Sequence, residues 1–426
     1  MKLNKLFALA SAAAVTLAMA GCSDKVIYTE FQQGNRYSFP AMETENGFYS
    51  GGAWTSWLNV RYYDKETGKC IYLCNRPECT HDGKDDFCTA TNYRIIKTSM
   101  VMSGNYIYFS GYKTSEDYKE HSYGVWRLAL DGTELTQICS FQNVKNSGGH
   151  ANFDDYMIVH KNYAVVPFAD YSVQTLTEDA VMNTLIVDLK TGQYKQLPAE
   201  GYTLTDIQGG QGEYCAEGDW LYYVVEPKDY LLTKHLYRYN FVTGETERLE
   251  DVPGRITDFE VIDGKIYYTK PFLNDTPSQL CVYDIETKQT TDLSQELMFD
   301  GDTLTNAQMI TDGQYMYIHD SPLYYLGKDY HPKHPDRCLV TDMQGKVLAD
   351  FTLPEEYNIH LIEPMVSDGK LYLYLNERYG GDSEIMDSIN SNAICCPVED
   401  ILAGNIKWTE PYYFGMEMEF YKEDEY

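Results

Sequence analysis

The sequence predicts an all-β protein, a seven-bladed β-propeller of four-stranded antiparallel blades, and three observations carry that reading. Tyrosine is overused, with 39 Tyr against 16 Phe and 5 Trp in 426 residues. A ring with an apolar body and a polar tip suits a half-buried strand face. A turn followed by a tyrosine-rich strand recurs seven times, and most copies are followed by a second phrase that reads as a hairpin. With two hairpin signals per repeat, each unit has about four strands.

In chain order, the first phrase begins at Asn46-Gly47-Phe48-Tyr49 and Gly104-Asn105-Tyr106-Ile107-Tyr108. A copy without its glycine is Lys161-Asn162-Tyr163-Ala164-Val165-Val166. The others are Gly218-Asp219-Trp220-Leu221-Tyr222-Tyr223, Asp263-Gly264-Lys265-Ile266-Tyr267-Tyr268, Asp312-Gly313-Gln314-Tyr315-Met316-Tyr317 and Asp368-Gly369-Lys370-Leu371-Tyr372. They are spaced about 54 residues apart, a period typical of stacked repeat units. The second phrase is clearest in Asp64-Lys65-Glu66-Thr67-Gly68, Asp188-Leu189-Lys190-Thr191-Gly192, Asn240-Phe241-Val242-Thr243-Gly244 and Asp284-Ile285-Glu286-Thr287-Lys288. Asp or Asn hydrogen-bonds the turn backbone and Gly accepts a positive φ, so each joins adjacent antiparallel strands.

A single four-stranded unit cannot cover both of its apolar faces, so the units must pack on one another in series. Eight blades, or a stack of β-sandwiches, are the alternatives to seven. Strand-like segments at Val26–Phe31 and Tyr412–Tyr421 are both candidates to complete the last blade. The organisation expected is a signal at 1–21, an anchor and first strand at 22–35, one propeller domain at 36–415 and an acidic tail at 416–426.

The repeated Asp-Gly-x-x-Tyr-Tyr and Tyr-Asp-x-x-Thr-Gly phrases resemble the TolB-like and quinoprotein-like propellers of bacterial envelope proteins. The resemblance implies the fold and no particular activity, because it lies in strands and turns. The chain lacks the Gly-His and Trp-Asp pair of WD repeats and the Ser-x-Asp-x-Gly-x-Thr-Trp box of sialidases.

The N-terminus reads as an export signal. Lys2 and Lys5 precede an uncharged stretch from Leu6 to Ala20, which is the length of a signal core and too short to span a bilayer as a helix. Met19-Ala20-Gly21-Cys22 resembles the lipobox of bacterial lipoproteins, with Met19 where that pattern prefers Leu. The resemblance implies a diacylglycerol thioether on Cys22 and an extracytoplasmic, membrane-anchored protein; an ordinary cleaved signal is the alternative, and a monomer is expected. The net charge of −30 argues against nucleic acid as a partner.

The densest chemistry lies in the cysteine-rich loop at 70–88. Cys74, Cys79, His81 and Cys88 bring three thiols and an imidazole into fifteen residues. Thiolate and imidazole are the donors of a closed structural zinc site. Disulfides compete in an oxidising compartment, with Cys70 as a fourth sulfur, and free thiols are the third reading. A c-type haem would need Cys-x-x-Cys-His, which the loop lacks. The segment also looks like a cysteine-rich insert in propeller-like lipoproteins of anaerobic gut bacteria.

Other candidates are weaker. Trp54 and Trp57, with Tyr324 and Tyr325, could form an aromatic platform for a ligand or wedge between blades. His331, His334 and Asp336 share one proline-rich loop, and His150 follows two glycines. The acid pairs Asp85-Asp86 and Asp154-Asp155 could serve glycoside hydrolysis, although chance pairs are expected among 64 acids. No phosphate loop or nucleophile elbow is present. The function expected is a ligand-, glycan- or envelope-protein-binding module without catalysis; the alternative is a secreted carbohydrate- or peptide-active enzyme with carboxylates in an axial cleft.

Overall fold

The hairpin phrases close as their residues dictate. Asp64 Oδ1 accepts the Thr67 amide and hydroxyl, each at 2.7 Å, and Gly68 follows with φ 66°. Asp284 and Thr287 repeat this contact at 2.8 and 3.0 Å, with Lys288 taking the left-handed position at φ 56°. The copy that lacks a glycine bends at Lys161, with φ 52°.

A computed structural model describes residues 41–51, 57–116, 120–141, 152–153, 157–170, 181–197, 214–225, 233–253, 258–270, 279–293, 298–299, 302–303, 307–320, 337–352, 362–367, 369–378, 389–409 and 412–413. The first strands are β1 (Ala41–Glu43), β2 (Gly47–Ser50), β3 (Trp57–Asn59), β4 (Arg61–Asp64) and β5 (Lys69–Tyr72). Of these, β1, β2, β4 and β5 form one short antiparallel sheet, and β3 leaves it to pair with the next.

Six regular blades follow. Blade 1 joins β3 to β6 (Thr91–Ser103), β7 (Tyr106–Thr114), β8 (His121–Ala129) and β9 (Leu135–Ser140). Blade 2 contains β10 (Asn152–Phe153), β11 (Ile158–His160), β12 (Tyr163–Asp170), β13 (Val181–Asp188) and β14 (Tyr194–Gln196). Blade 3 is β15 (Tyr214–Glu217), β16 (Trp220–Val225), β17 (Thr233–Asn240) and β18 (Thr246–Pro253). Blade 4 is β19 (Asp258–Ile262), β20 (Lys265–Lys270), β21 (Gln279–Asp284) and β22 (Gln289–Asp292). A small hairpin, β23 (Met298–Phe299) and β24 (Asp302–Thr303), precedes blade 5, which is β25 (Ala307–Thr311), β26 (Tyr315–Asp320), β27 (Arg337–Asp342) and β28 (Val347–Thr352). Blade 6 is β29 (Ile362–Ser367), β30 (Lys370–Arg378), β31 (Ile389–Pro397) and β32 (Tyr412–Tyr413), with a short helix α1 (Val398–Leu402) after β31.

These strands correct the expected count from seven like blades to six. The strands β6, β11, β15, β19, β25 and β29 lie side by side in series, one from each blade. The first tyrosine phrase forms a strand but not a regular blade. Its sheet has strands of three or four residues, and β3, which follows β2 in the chain, leaves to pair with β6. The short sheet fills the space between the last blade and the first. Phe48 meets Tyr372 edge-on at 6.1 Å, and the Tyr372 hydroxyl donates to the Glu43 carboxylate. On its other side, Leu58, Val60 and Leu73 join Ile107, Phe109 and Trp126 in one core.

The doubled tyrosines have a packing reason. Successive strand residues point to opposite faces, and a blade has a neighbour on each. Tyr223 joins Ile158, Val165 and Leu221 between blades 2 and 3, while Tyr222 joins Phe259, Ile266 and Tyr268 between blades 3 and 4. Tyr267 turns the other way, to Met309, Met316 and Ile318 of blade 5. Of the two segments proposed to complete the last blade, Tyr412–Tyr413 pairs with Ala393 and Asn392. Val26–Phe31 lies outside the described residues.

Candidate metal centre

The cysteine-rich loop links β5 to β6, and two successive turns shape it. In Arg76-Pro77-Glu78-Cys79 the Cys79 amide donates to the Arg76 carbonyl at 3.1 Å, with proline where a β-turn favours it. In Asp85-Asp86-Phe87-Cys88 the Cys88 amide donates to the Asp85 carbonyl at 3.0 Å, and Asp85 Oδ1 accepts the Phe87 amide at 2.9 Å. Each turn thus ends on a cysteine. The first residues of the two turns are ion-paired, Arg76 Nη1 to Asp85 Oδ2 at 2.6 Å, which holds the turns together. Between them His81 adopts φ 55° and Gly83 φ 75°. A Cβ on Gly83 would lie 2.6 Å from the Tyr93 ring, so that turn needs glycine for both space and conformation.

The loop is anchored in the core between the short sheet and blade 1. Leu73, Cys88 and Ala90 are buried there, with Cys74 and Cys79 packed against them. The Thr89 hydroxyl donates to the Leu73 and Gly132 carbonyls at 3.0 and 2.9 Å.

The result is a four-donor cluster. The sulfurs of Cys74, Cys79 and Cys88 and a ring nitrogen of His81 all lie within 4.8 Å of one another. Cys88 Sγ is 3.5 Å from His81 Nδ1 and accepts the Thr91 amide at 3.3 Å. The Tyr72 ring stacks on the imidazole, with centroids 4.8 Å apart, and fixes its plane. Cys88 is buried and the other three ligands are half-buried. No disulfide joins the described cysteines, and Cys70 sits on β5 beside Arg61, outside the cluster.

Two thiols of the cluster are shifted in opposite directions. Burial pushes the Cys79 thiol up to about 11, and the nearby sulfurs of Cys88 and Cys74 add to that against the His81 amide. Burial also opposes ionisation of Cys74, but the amides of Arg76 and Thr89, the Thr89 hydroxyl and Cys79 outweigh it and leave that thiol lowered.

The remaining candidates fall apart from this cluster. Trp57 lies on β3, half-buried, with its ring edge-on to Tyr93 at 4.7 Å. Asp85 is ion-paired with Arg76, and Asp86 with Arg94. Cys22, Trp54, His150, Asp154, Asp155, Tyr324, Tyr325, His331, His334 and Asp336 lie outside the described residues. Sequence reasoning missed the supports of the cluster: Tyr72, Thr89, Thr91 and the Arg76–Asp85 pair. Arg76 and Asp85 did leave a signal, since each stands three residues before a cysteine.

No protein-family model and no curated protein matches this sequence. Among solved structures the chain is similar to one from a study of two prolyl endopeptidases, with TM-score 0.52 and 9% identity over 97% of this chain and 55% of that one. It therefore spans about half of that protein. It is also similar to the β-propeller domain of the trilobed protease from Pyrococcus furiosus (TM-score 0.44, 12% identity, 71% of this chain and 82% of that one). TolB from Acinetobacter baumannii aligns with TM-score 0.35 at 11% identity, over 84% of this chain and 76% of that one. What is shared is the β-propeller fold.

Proposed function

We propose that the chain is an exported, lipid-anchored propeller that binds a glycan, peptide or envelope protein without transforming it. Its location rests on the Lys2–Cys22 signal and lipobox-like end. One observation supports the reading without catalysis at the cysteine loop. Among the described residues, a single group of His, Cys, Asp and Glu side chains could hold a metal, and its four protein donors face one another. A set closed in this way leaves no position for a substrate, which is the mark of a structural site rather than a catalytic one. The neighbouring acid pair is occupied by arginines.

Expression of the full chain with labelled fatty acid tests the location: wild type should carry label in the membrane fraction, and Cys22→Ala should lose it. Unmodified Cys22 in wild type rules out the anchor. Glycan and peptide panels, read for both binding and product release, test the activity. Saturable binding with intact ligand is expected; sustained turnover by the purified chain would replace this reading with the enzymatic one.

A further inference from the structure

We propose that Cys74, Cys79, Cys88 and Nδ1 of His81 bind one Zn²⁺ ion, forming a structural site that ties the short sheet to blade 1. The donor chemistry is that of zinc, since thiolates with one imidazole select soft or borderline ions and four protein ligands complete a tetrahedron. Distances agree. Zinc bonds of about 2.3 Å to sulfur and about 2.0–2.1 Å to nitrogen require tetrahedral edges of about 3.8 Å between sulfurs and about 3.6 Å between sulfur and nitrogen. The Cys88–His81 edge is 3.5 Å, already at that length. The widest separation in the cluster, 4.8 Å, exceeds the ideal edge by about one ångström, a contraction within reach of side-chain rotation.

Two further features favour metal over a disulfide. A disulfide inside the cluster uses two of its sulfurs and leaves Cys74, Cys79 or Cys88 unpaired, with the imidazole given no role. The second shell is already in place: Thr91 donates its amide to the Cys88 sulfur, and Tyr72 stacks on His81. Binding breaks three S–H bonds, forms three Zn–S bonds and one Zn–N bond, and releases three protons to buffer, with no change of oxidation state.

The test uses the full chain, extracted in detergent and purified without reductant. Elemental analysis should find one zinc per chain. Replacement by Co²⁺ should give a thiolate-to-cobalt charge-transfer band and intense visible bands of tetrahedral cobalt. Cys88→Ser should lose both signals, whereas Cys70→Ser, outside the cluster, should keep them. If Cys88→Ser does not fold, His81→Asn replaces a half-buried ligand, and the wild-type cobalt spectrum decides without any variant. A disulfide among Cys74, Cys79 and Cys88, seen by peptide mapping in place of metal, overturns the proposal. So does a chain whose thiols are all reactive and which takes up neither Zn²⁺ nor Co²⁺.

Discussion

Phe48→Ala would test whether the short sheet is part of one cooperative ring or merely lies beside it. Phe48 is 1% exposed and fills the joint between the short sheet and blade 6. Its ring meets Tyr372 and Tyr63, each at 6.1 Å between centroids, and Lys65 Nζ sits 4.7 Å from its centre. Loss of the buried ring forfeits about 1.5–3 kcal/mol of transfer free energy. The residual cavity brings the expected cost to about 3–5 kcal/mol, a large share of a usual domain stability of about 5–15 kcal/mol. Urea unfolding, followed by fluorescence, should show the midpoint falling with a single transition retained. Hydrogen exchange should quicken both at Gly47–Ser50 and at Lys370–Arg378, strands far apart in sequence and joined by that contact. Val242→Ala, at an exposed turn position, should move stability by no more than about 0.5 kcal/mol. A cost below about 1 kcal/mol, or a short sheet that melts alone while blade 6 keeps its protection, refutes the reasoning.

Two more outcomes are expected. His319 is fully buried and burial holds its pKa near 4, against an ordinary value of about 6.5. Above about pH 6.5 the imidazole is neutral in both states; as pH falls towards 4 only the unfolded chain binds the proton, so stability should drop by about 3 kcal/mol over that window. His319→Leu should flatten this part of the pH–stability curve, and a variant with the wild-type slope would contradict the assignment. Gly83→Ala should lower the melting temperature more than Gly218→Ala does. Both glycines have positive φ, but only Gly83 would press a Cβ onto the Tyr93 ring, and nothing lies within 4 Å of the corresponding position at Gly218. Equal shifts would mean that Tyr93 yields freely.

Local chemistry made most of the fold legible. Asp64, Asp188, Asn240 and Asp284 each accept turn amides two or three residues ahead, so a short window of sequence suffices to read each hairpin. Tyrosine pairs such as Tyr222-Tyr223 and Tyr267-Tyr268 announce strands buried on both faces, which only a stacked sheet provides. The blade count was misread because it depends on pairing between distant segments. Asn46 to Gly68 carries both repeat phrases intact, yet β3 between them registers with Thr91, Asn92 and Ile96. Nothing within residues 57–59 signals that choice; it is set by which edge strand is free to pair. The cysteine loop was legible as a cluster because its donors are close in sequence. Its supports Tyr72 and Thr91 belong to two different sheets, and no spacing rule links them.

The position of the loop follows from a weakness in the fold. Regular blades bury apolar residues on both faces, as Leu221, Tyr222 and Tyr223 do in β16. In the short sheet β2 is mostly buried, β4 is half-buried throughout, and β5 alternates half-buried with exposed, leaving Ile71 56% exposed. Strands of three or four residues also contribute few ladder hydrogen bonds, so this sheet needs reinforcement from outside its own pairing. The loop that leaves β5 supplies it. It returns Leu73, Cys88 and Ala90 to the core shared with blade 1, and Thr89 hydrogen-bonds the Gly132 carbonyl at the β8–β9 turn. A metal bound by Cys74 at one end of this loop and Cys88 at the other would bind the folded loop and not the unfolded chain, so its binding free energy would add to stability. The reinforcement then falls on a short sheet that departs from the repeat and fills the joint between the last blade and the first.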